Sequence, residues 1–234
     1  MLIKPWTRTA ALSGLLLGCL LLGGPTARAE EQSAPTQVPA SAQVKVTTNL
    51  GEFVIEVRND RAPLTGANFL RYVREGFYSN TLFHRVIANF VIQGGGHDAT
   101  TLKLKPTHEN VFNESGNGLQ NKRGVLGLAR SESPHSGNAQ FYIDLVDNPD
   151  LDPVPTRWGY TVFGRVVQGM DVVDRIGETP TGATGPFKKD APLKPVIIEK
   201  VEIVTAGAAS APPAAATPSP APPPPHETTI LSPK

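Results

Sequence analysis

The string Phe83-His84-Arg85-Val86-Ile87-Ala88-Asn89-Phe90-Val91-Ile92-Gln93-Gly94-Gly95-Gly96 mixes polar and apolar residues in a way that could carry chemistry. Two strand-like runs meet at Ala88-Asn89, so Arg85 on one run and Gln93 on the other can point the same way beside Phe90. A fixed cation, an amide and an aromatic wall make a recognition site. Read alone, Phe90, Val91 and Leu151 more often describe plain core residues, and a lone Arg85 a surface charge. His84, next to Arg85 in the same run, is expected to face the opposite side and to play a structural or supporting part.

Other reactive types lack the spacing their chemistry needs. His84, His97, His108, His135 and His226 form no HExxH or His-x-His pattern and have no carboxylate at a regular offset, so no metal site is expected. No Lys-Ser/Thr follows Gly94-Gly95-Gly96, which reads as a turn needing unusual backbone angles rather than a phosphate cradle. Ser131, Ser133 and Ser136 lack the nucleophile elbow.

The elements that must position these residues are mostly short strands. Val44–Thr48 and Phe53–Val57 flank a turn signal and read as a hairpin. Pro63 opens a helix with apolar residues at helical spacing through Val73, stopped by Gly76, and Gly169–Ile176 reads as a second helix. Further strands are expected over Thr81–Val86, Phe90–Gln93, Gly124–Ala129, Gln140–Leu145, Thr161–Val166 and Val196–Val204, giving a barrel or sandwich. The span from Gly94 to Arg123 reads as a long loop, of a length that usually has a functional reason.

Composition divides the 234 residues into segments. Of 23 prolines, nine lie from Pro212 onward, four precede residue 42, and ten fall in 42–205. That middle segment is the folded domain. The balance of 22 Lys+Arg against 21 Asp+Glu leaves no basic footprint for nucleic acid or anionic lipid, and one cysteine excludes a disulfide framework. Residues 1–29 read as a cleaved signal peptide, with Lys4 and Arg8, an apolar run from Ala10 to Leu22, and Ala27-Arg28-Ala29 before a mature start at Glu30. Leu16-Leu17-Gly18-Cys19 offers an alternative, a lipoprotein anchored at Cys19, although the apolar run continues beyond it. The run is too short for a stable membrane span. Residues 30–41 read as a disordered linker and 206–234 as a Pro/Ala-rich disordered tail.

FHRVIANFVIQGGG closely resembles the signature of cyclophilins, the peptidyl-prolyl cis-trans isomerases, whose common form is FHRVIPGFMIQGGD. Support comes in order from Asn68-Phe69, Gly76-Phe77-Tyr78, Asn113-Glu114, Gly124 to Arg130, Asn138 to Ile143, Val162 to Val166 and Gly169 to Val173. The resemblance spans about residues 43–204 and is greatest to the exported, periplasmic bacterial branch. It implies a mainly β fold, an eight-stranded antiparallel barrel capped by two α-helices. By the same resemblance Arg85 matches the catalytic arginine, with Gln93 and Phe90 beside it. Val91, Tyr142, Leu151 and Tyr160 match the proline pocket, and Ala129, Arg130 and Gln140 the stretch that binds residues before proline. Asp150 stands where many eukaryotic members have Trp, so cyclosporin affinity is expected to be weak.

The implied enzyme would be a monomer acting on proline-containing clients, with no cofactor. It would face a rotation barrier of ~18–20 kcal/mol between end states only ~0.5–1 kcal/mol apart. In the twisted state resonance is lost and the prolyl nitrogen gains a lone pair, to which a guanidinium can donate. Two rivals are a module that merely holds proline-containing segments and a partner protein recruited through its tail. The tail contains Xaa–Pro bonds of the kind such a domain processes, and self-binding is a further hypothesis.

Overall fold

Alternation decides the first hairpin. In β1 (Ala42–Thr48) Val44, Val46 and Thr48 are buried, and in β2 (Gly51–Val57) so are Phe53, Ile55 and Val57. Antiparallel register sets Val44 opposite Ile55 and Val46 opposite Phe53, so both strands bury the same face. The computed structural model describes residues 39–204, so the expected signal segment, most of the linker and the tail lie outside the described residues.

The remaining strands are β3 (Thr81–Ile87), β4 (Val91–Asp98), β5 (Val125–Leu128), β6 (Phe141–Asp144), β7 (Val162–Gln168), β8 (Thr181–Thr184), β9 (Phe187–Pro192) and β10 (Ile197–Val204). Eight close a barrel in the order β1-β10-β3-β4-β6-β5-β7-β2, all pairs antiparallel, which leaves no unpaired edge. With helices α1 (Pro63–Arg74) and α2 (Met170–Gly177) this is the expected architecture. The β8–β9 hairpin is additional; its short, polar strands carried no alternation to reveal it.

α1 buries Phe69, Leu70, Tyr72 and Val73, and Phe69 meets the rings of Tyr78, Phe141 and Phe163 at centroid distances of 5.2, 5.7 and 5.2 Å. Its first turn starts on Pro63 without a local cap. A distant carboxylate supplies one: Leu64 and Thr65 backbone N–H groups donate to Glu114 at 3.0 and 2.8 Å, and the Thr65 hydroxyl at 2.7 Å. Glu114→Ala is therefore expected to cost about 1–2 kcal/mol in urea unfolding, the usual value of a lost cap; an unchanged midpoint would contradict this role. At the other end Gly76 takes a positive φ of 66°, the Phe77 N–H reaches the Tyr72 carbonyl at 3.0 Å, and the Tyr72 and Phe77 rings pack at 4.6 Å. α2 starts on Gly169, where φ is +77° and an added Cβ would lie 2.5 Å from the Glu52 carbonyl oxygen.

Two expectations change. Gly94-Gly95-Gly96 is not a turn: it lies inside β4, which continues to Asp98, so the irregular span is residues 99–124. A bulge explains the unusual angles, since Phe83 pairs with Gly94 while Thr81 pairs with Asp98, and Gly95 has φ +81°. A second register shift lies between Phe83 and Arg85. Phe83 and Val86, three apart, both join the barrel core, so His84 and Arg85 both lie on the outer wall instead of facing opposite sides. The irregular span is pinned by side chains: Asn113 Nδ2 donates to the Gly159 carbonyl and Asn117 Nδ2 to that of Val162, both at 2.9 Å.

Candidate functional site

β3 and β4 meet through Ala88-Asn89-Phe90, where Asn89 adopts φ +56°, a left-handed angle that Asn tolerates. The register places Arg85 opposite Gln93, and paired residues point to one side. Arg85 Nη1 donates to Gln93 Oε1 at 3.1 Å, and Gln93 Nε2 donates onward to Gln140 Oε1 at 3.1 Å. The Arg85 guanidinium carbon stands 6.0 Å from the centre of the Phe90 ring. Only one of five guanidinium N–H donors is thereby engaged among the side chains described.

Arg85, Phe90, Val91, Gln93, Ala129, Arg130, Tyr142, Leu151 and Tyr160 line one cavity of about 220 Å³. Gln140 opens the adjoining groove of about 300 Å³, which shares Gln93, Ala129 and Arg130. Every site residue expected from the sequence thus lines this cavity or the groove beside it. Two glycines clear the space: a Cβ on Gly127 would fall 2.1 Å from the Tyr142 hydroxyl, and one on Gly96 would fall 2.5 Å from Gln140 Cγ.

The Arg130 side chain is committed to the protein's own backbone. It donates to the carbonyls of Ser131 at 2.9 Å and Trp158 at 3.0 Å, and its guanidinium lies 4.3 Å from the Tyr160 ring centre. Tyr160 meets Tyr142 edge-on at 6.0 Å, and the Tyr160 N–H donates to the Leu151 carbonyl at 2.8 Å, which ties the far wall together. Asp150, in the short 3₁₀ turn Pro149–Leu151, is exposed and does not line the cavity.

Polar residues that no sequence motif marks stand behind the cavity. Tyr142 Oη donates to Asn121 Oδ1 at 2.6 Å, and Asn121 in turn donates its N–H and Nδ2 to Asp152 Oδ1 at 2.7 and 2.8 Å. Burial holds the Tyr142 hydroxyl well above its ordinary pKa, so it remains a donor. Asn148 Nδ2 donates to the Phe90 carbonyl at 3.1 Å and to Asp144 Oδ1 at 2.6 Å. Asp144 is fully buried, its Oδ2 has no partner, and burial, reinforced by Asp152 and Asp147, pushes its pKa up to about 7. Only the surrounding polar loop residues could have signalled this scaffold. Tyr142→Phe should keep the cavity wall but leave Asn121 Oδ1 unpaired, costing about 1–3 kcal/mol of stability with turnover on proline peptides nearly unchanged. Loss of turnover without loss of stability would give the hydroxyl a different task.

His84 packs under the β8–β9 hairpin, 4.5 Å from the His97 ring and 5.7 Å from Phe187. Burial, with His97 and Arg85 nearby, lowers its pKa to about 4, so it is neutral near pH 7. Among the described residues no cluster of three or more His, Cys, Asp and Glu is placed to hold a metal ion, and no helix is long and apolar enough to cross a membrane.

Against this geometry, comparisons with known proteins agree with one another. The family model described as cyclophilin type peptidyl-prolyl cis-trans isomerase/CLD matches residues 43–203. Peptidyl-prolyl cis-trans isomerase B of Escherichia coli (strain K12) is 51% identical over 159 residues, covering 67% of this chain and 96% of that protein. A peptidyl-prolyl cis-trans isomerase of Acinetobacter baylyi is 45% identical over 170 residues, covering 73% and 89%. Among solved structures, a cyclophilin type isomerase of Cryptosporidium parvum, crystallised in the presence of the dipeptide Ala-Pro, superposes with a TM-score of 0.60 at 27% identity, covering 70% of this chain and 99% of that one.

Proposed function

This chain belongs to the cyclophilin-type peptidyl-prolyl cis-trans isomerase family, and we propose that it acts through Arg85, which donates to the prolyl nitrogen of a twisted Xaa–Pro bond seated over Phe90. The protein is a peptidyl-prolyl cis-trans isomerase. The observation that carries the mechanism is the convergence of Arg85, Gln93 and an apolar wall on one cavity.

A planar tertiary amide offers Arg85 nothing to bind at nitrogen, because the lone pair is delocalised into the carbonyl. Rotation localises it. A guanidinium already held 3.1 Å from Gln93 meets that lone pair without reorganising, so the attraction grows only as the bond twists. Phe90, Val91, Tyr142, Leu151 and Tyr160 grip the ring, so the carbonyl side rotates against it. Gln93, backed by Gln140, holds the rotating backbone, and Ala129, Arg130 and Gln140 receive the residues before proline. No bond breaks, and the pathway calls for no cofactor.

We assign the domain to 42–205, supported by β1 starting at Ala42 and β10 ending at Val204. Its clients are proline-containing segments of exported proteins, it works as a monomer in the periplasm, and its signal peptide is removed before Glu30; the apolar run and Ala27-Arg28-Ala29 support export. Mass spectrometry of the mature N-terminus tests the last point, since a diacylated Cys19 would replace cleavage by a lipid anchor. Proline-peptide isomerisation by the full chain and its Arg85→Ala variant tests the mechanism.

A further inference from the structure

The face beside the cavity carries a rigid aromatic ladder that the isomerase mechanism does not use. Phe112 and Trp158 flank His135 at ring-centre distances of 5.3 and 5.2 Å, yet Phe112 is 69% and Trp158 49% exposed. Trp158 also borders a groove of about 370 Å³ formed with Ser115, Pro153, Val154 and Pro155. Contiguous exposed aromatic surface rimmed by polar residues marks interaction sites. Val154 and Arg157 exchange two backbone bonds of 3.0 Å, Arg130 donates to the Trp158 carbonyl, and the Asn113 N–H donates to His135 Nδ1 at 3.1 Å. The surface is preorganised, which lowers the entropic cost of binding.

A groove walled by Trp158, Pro153 and Pro155, next to the exposed rings of the ladder, suits an extended, proline-rich strand, because a polyproline helix presents its rings with little entropy left to lose. This chain carries such a segment. Residues 205–234 lie outside the described residues, and their sequence includes Pro222-Pro223-Pro224-Pro225. Their point of departure is on the same rim as the ladder. Val204 pairs with Gln43, Gln43 with Glu56, and Glu56 with Arg165 of β7, the strand that Trp158 precedes. Three interstrand steps of ~4.8 Å and the stretch back from Arg165 to Trp158 at ~3.3 Å per residue total at most roughly 40 Å. The chain from Val204 to Pro222 spans roughly 55 Å as polyproline. Reach is not limiting.

We propose that Pro222–Pro225 of the chain's own tail docks on the Phe112–His135–Trp158 ladder, beside and not inside the isomerase cavity. The test compares the Trp158 indole N–H resonance in the full chain, a chain ending at Thr205, and a full chain with Pro222, Pro223, Pro224 and Pro225 replaced by Ser. Docking predicts that truncation and replacement move this resonance to a common position, with the signals of buried Ile92 and Phe141 unchanged. Identical positions in all three chains overturn the proposal. A difference that grows with protein concentration also overturns it, since it would mark a second copy as the occupant. In the full chain, Trp158→Ala should move the signals of the tail prolines' neighbours to their positions in the isolated 206–234 peptide; tail signals indifferent to this change would sink the idea even if Trp158 itself had shifted.

Discussion

Arg85→Ala is expected to lower kcat/KM for Xaa–Pro isomerisation by ~10²–10³, the usual cost of removing one preorganised donor from a transition state. Its effect on folding should be small, because Arg85 is only half-buried and its one side-chain partner, Gln93, keeps its bond to Gln140. Ground-state binding should also survive, since the proline ring is held by Phe90, Val91, Tyr142, Leu151 and Tyr160 rather than by the cation. The loss therefore belongs in kcat. Arg85→Lys should recover little of it: an ammonium keeps the charge but lacks the planar fork that reaches Gln93 and the prolyl nitrogen together. A variant that lost peptide affinity and kept kcat would point to a simple holding site.

Asp144→Asn is expected to flatten the pH dependence of stability. The carboxyl is fully buried and has a pKa of about 7, against 3.8 for an ordinary aspartate. Between those values the folded protein keeps a proton that the unfolded chain has released, so the contribution is complete below about pH 4 and is lost as pH rises through about 7. At 1.36 kcal/mol per unit the full change is about 4 kcal/mol. Exposed carboxylates such as Asp60, Glu75 and Asp171 have lowered values and act in the opposite sense under more acidic conditions. The difference between wild type and Asp144→Asn cancels them. Urea unfolding of both proteins from pH 4.5 to 8.5 should show wild type losing ground to the variant as pH rises, levelling off above about 7. A difference independent of pH would mean that Asp144 is not protonated in the fold. Through Asn148, the same carboxylate helps hold the Phe90 carbonyl, so the site shares its fate.

How much of this was legible depended on whether a residue's task was set locally. The β1–β2 hairpin and both helices follow from alternation, Pro63 and Gly76, and the structure moves their ends by only a few residues. The Arg85–Gln93 pairing was legible because two strand-like runs share a short turn. The bulges were not. Strict alternation sends His84 to the side away from Arg85, whereas an extra residue between paired positions leaves both outside the barrel. Nor does a glycine triplet declare that it belongs to a strand, since its conformational freedom fits a turn equally well. Asn121 joins Tyr142 and Asp152 from far along the chain, Asn148 reaches back to the Phe90 carbonyl, and Glu114 caps a helix that begins at Pro63. Such pairings exist only once the barrel has closed.

The central claim is that one guanidinium turns a proline-binding cavity into a catalyst. Its most direct measurement is NMR exchange between the cis and trans signals of an Xaa–Pro peptide mixed with a catalytic amount of protein. Wild type should produce exchange at unchanged cis and trans populations, whereas Arg85→Ala should still shift the peptide signals on titration while catalysed exchange slows by ~10²–10³, toward the uncatalysed rate of tens of seconds or slower. Exchange at the wild-type rate in Arg85→Ala, or binding without exchange in wild type, would contradict the account.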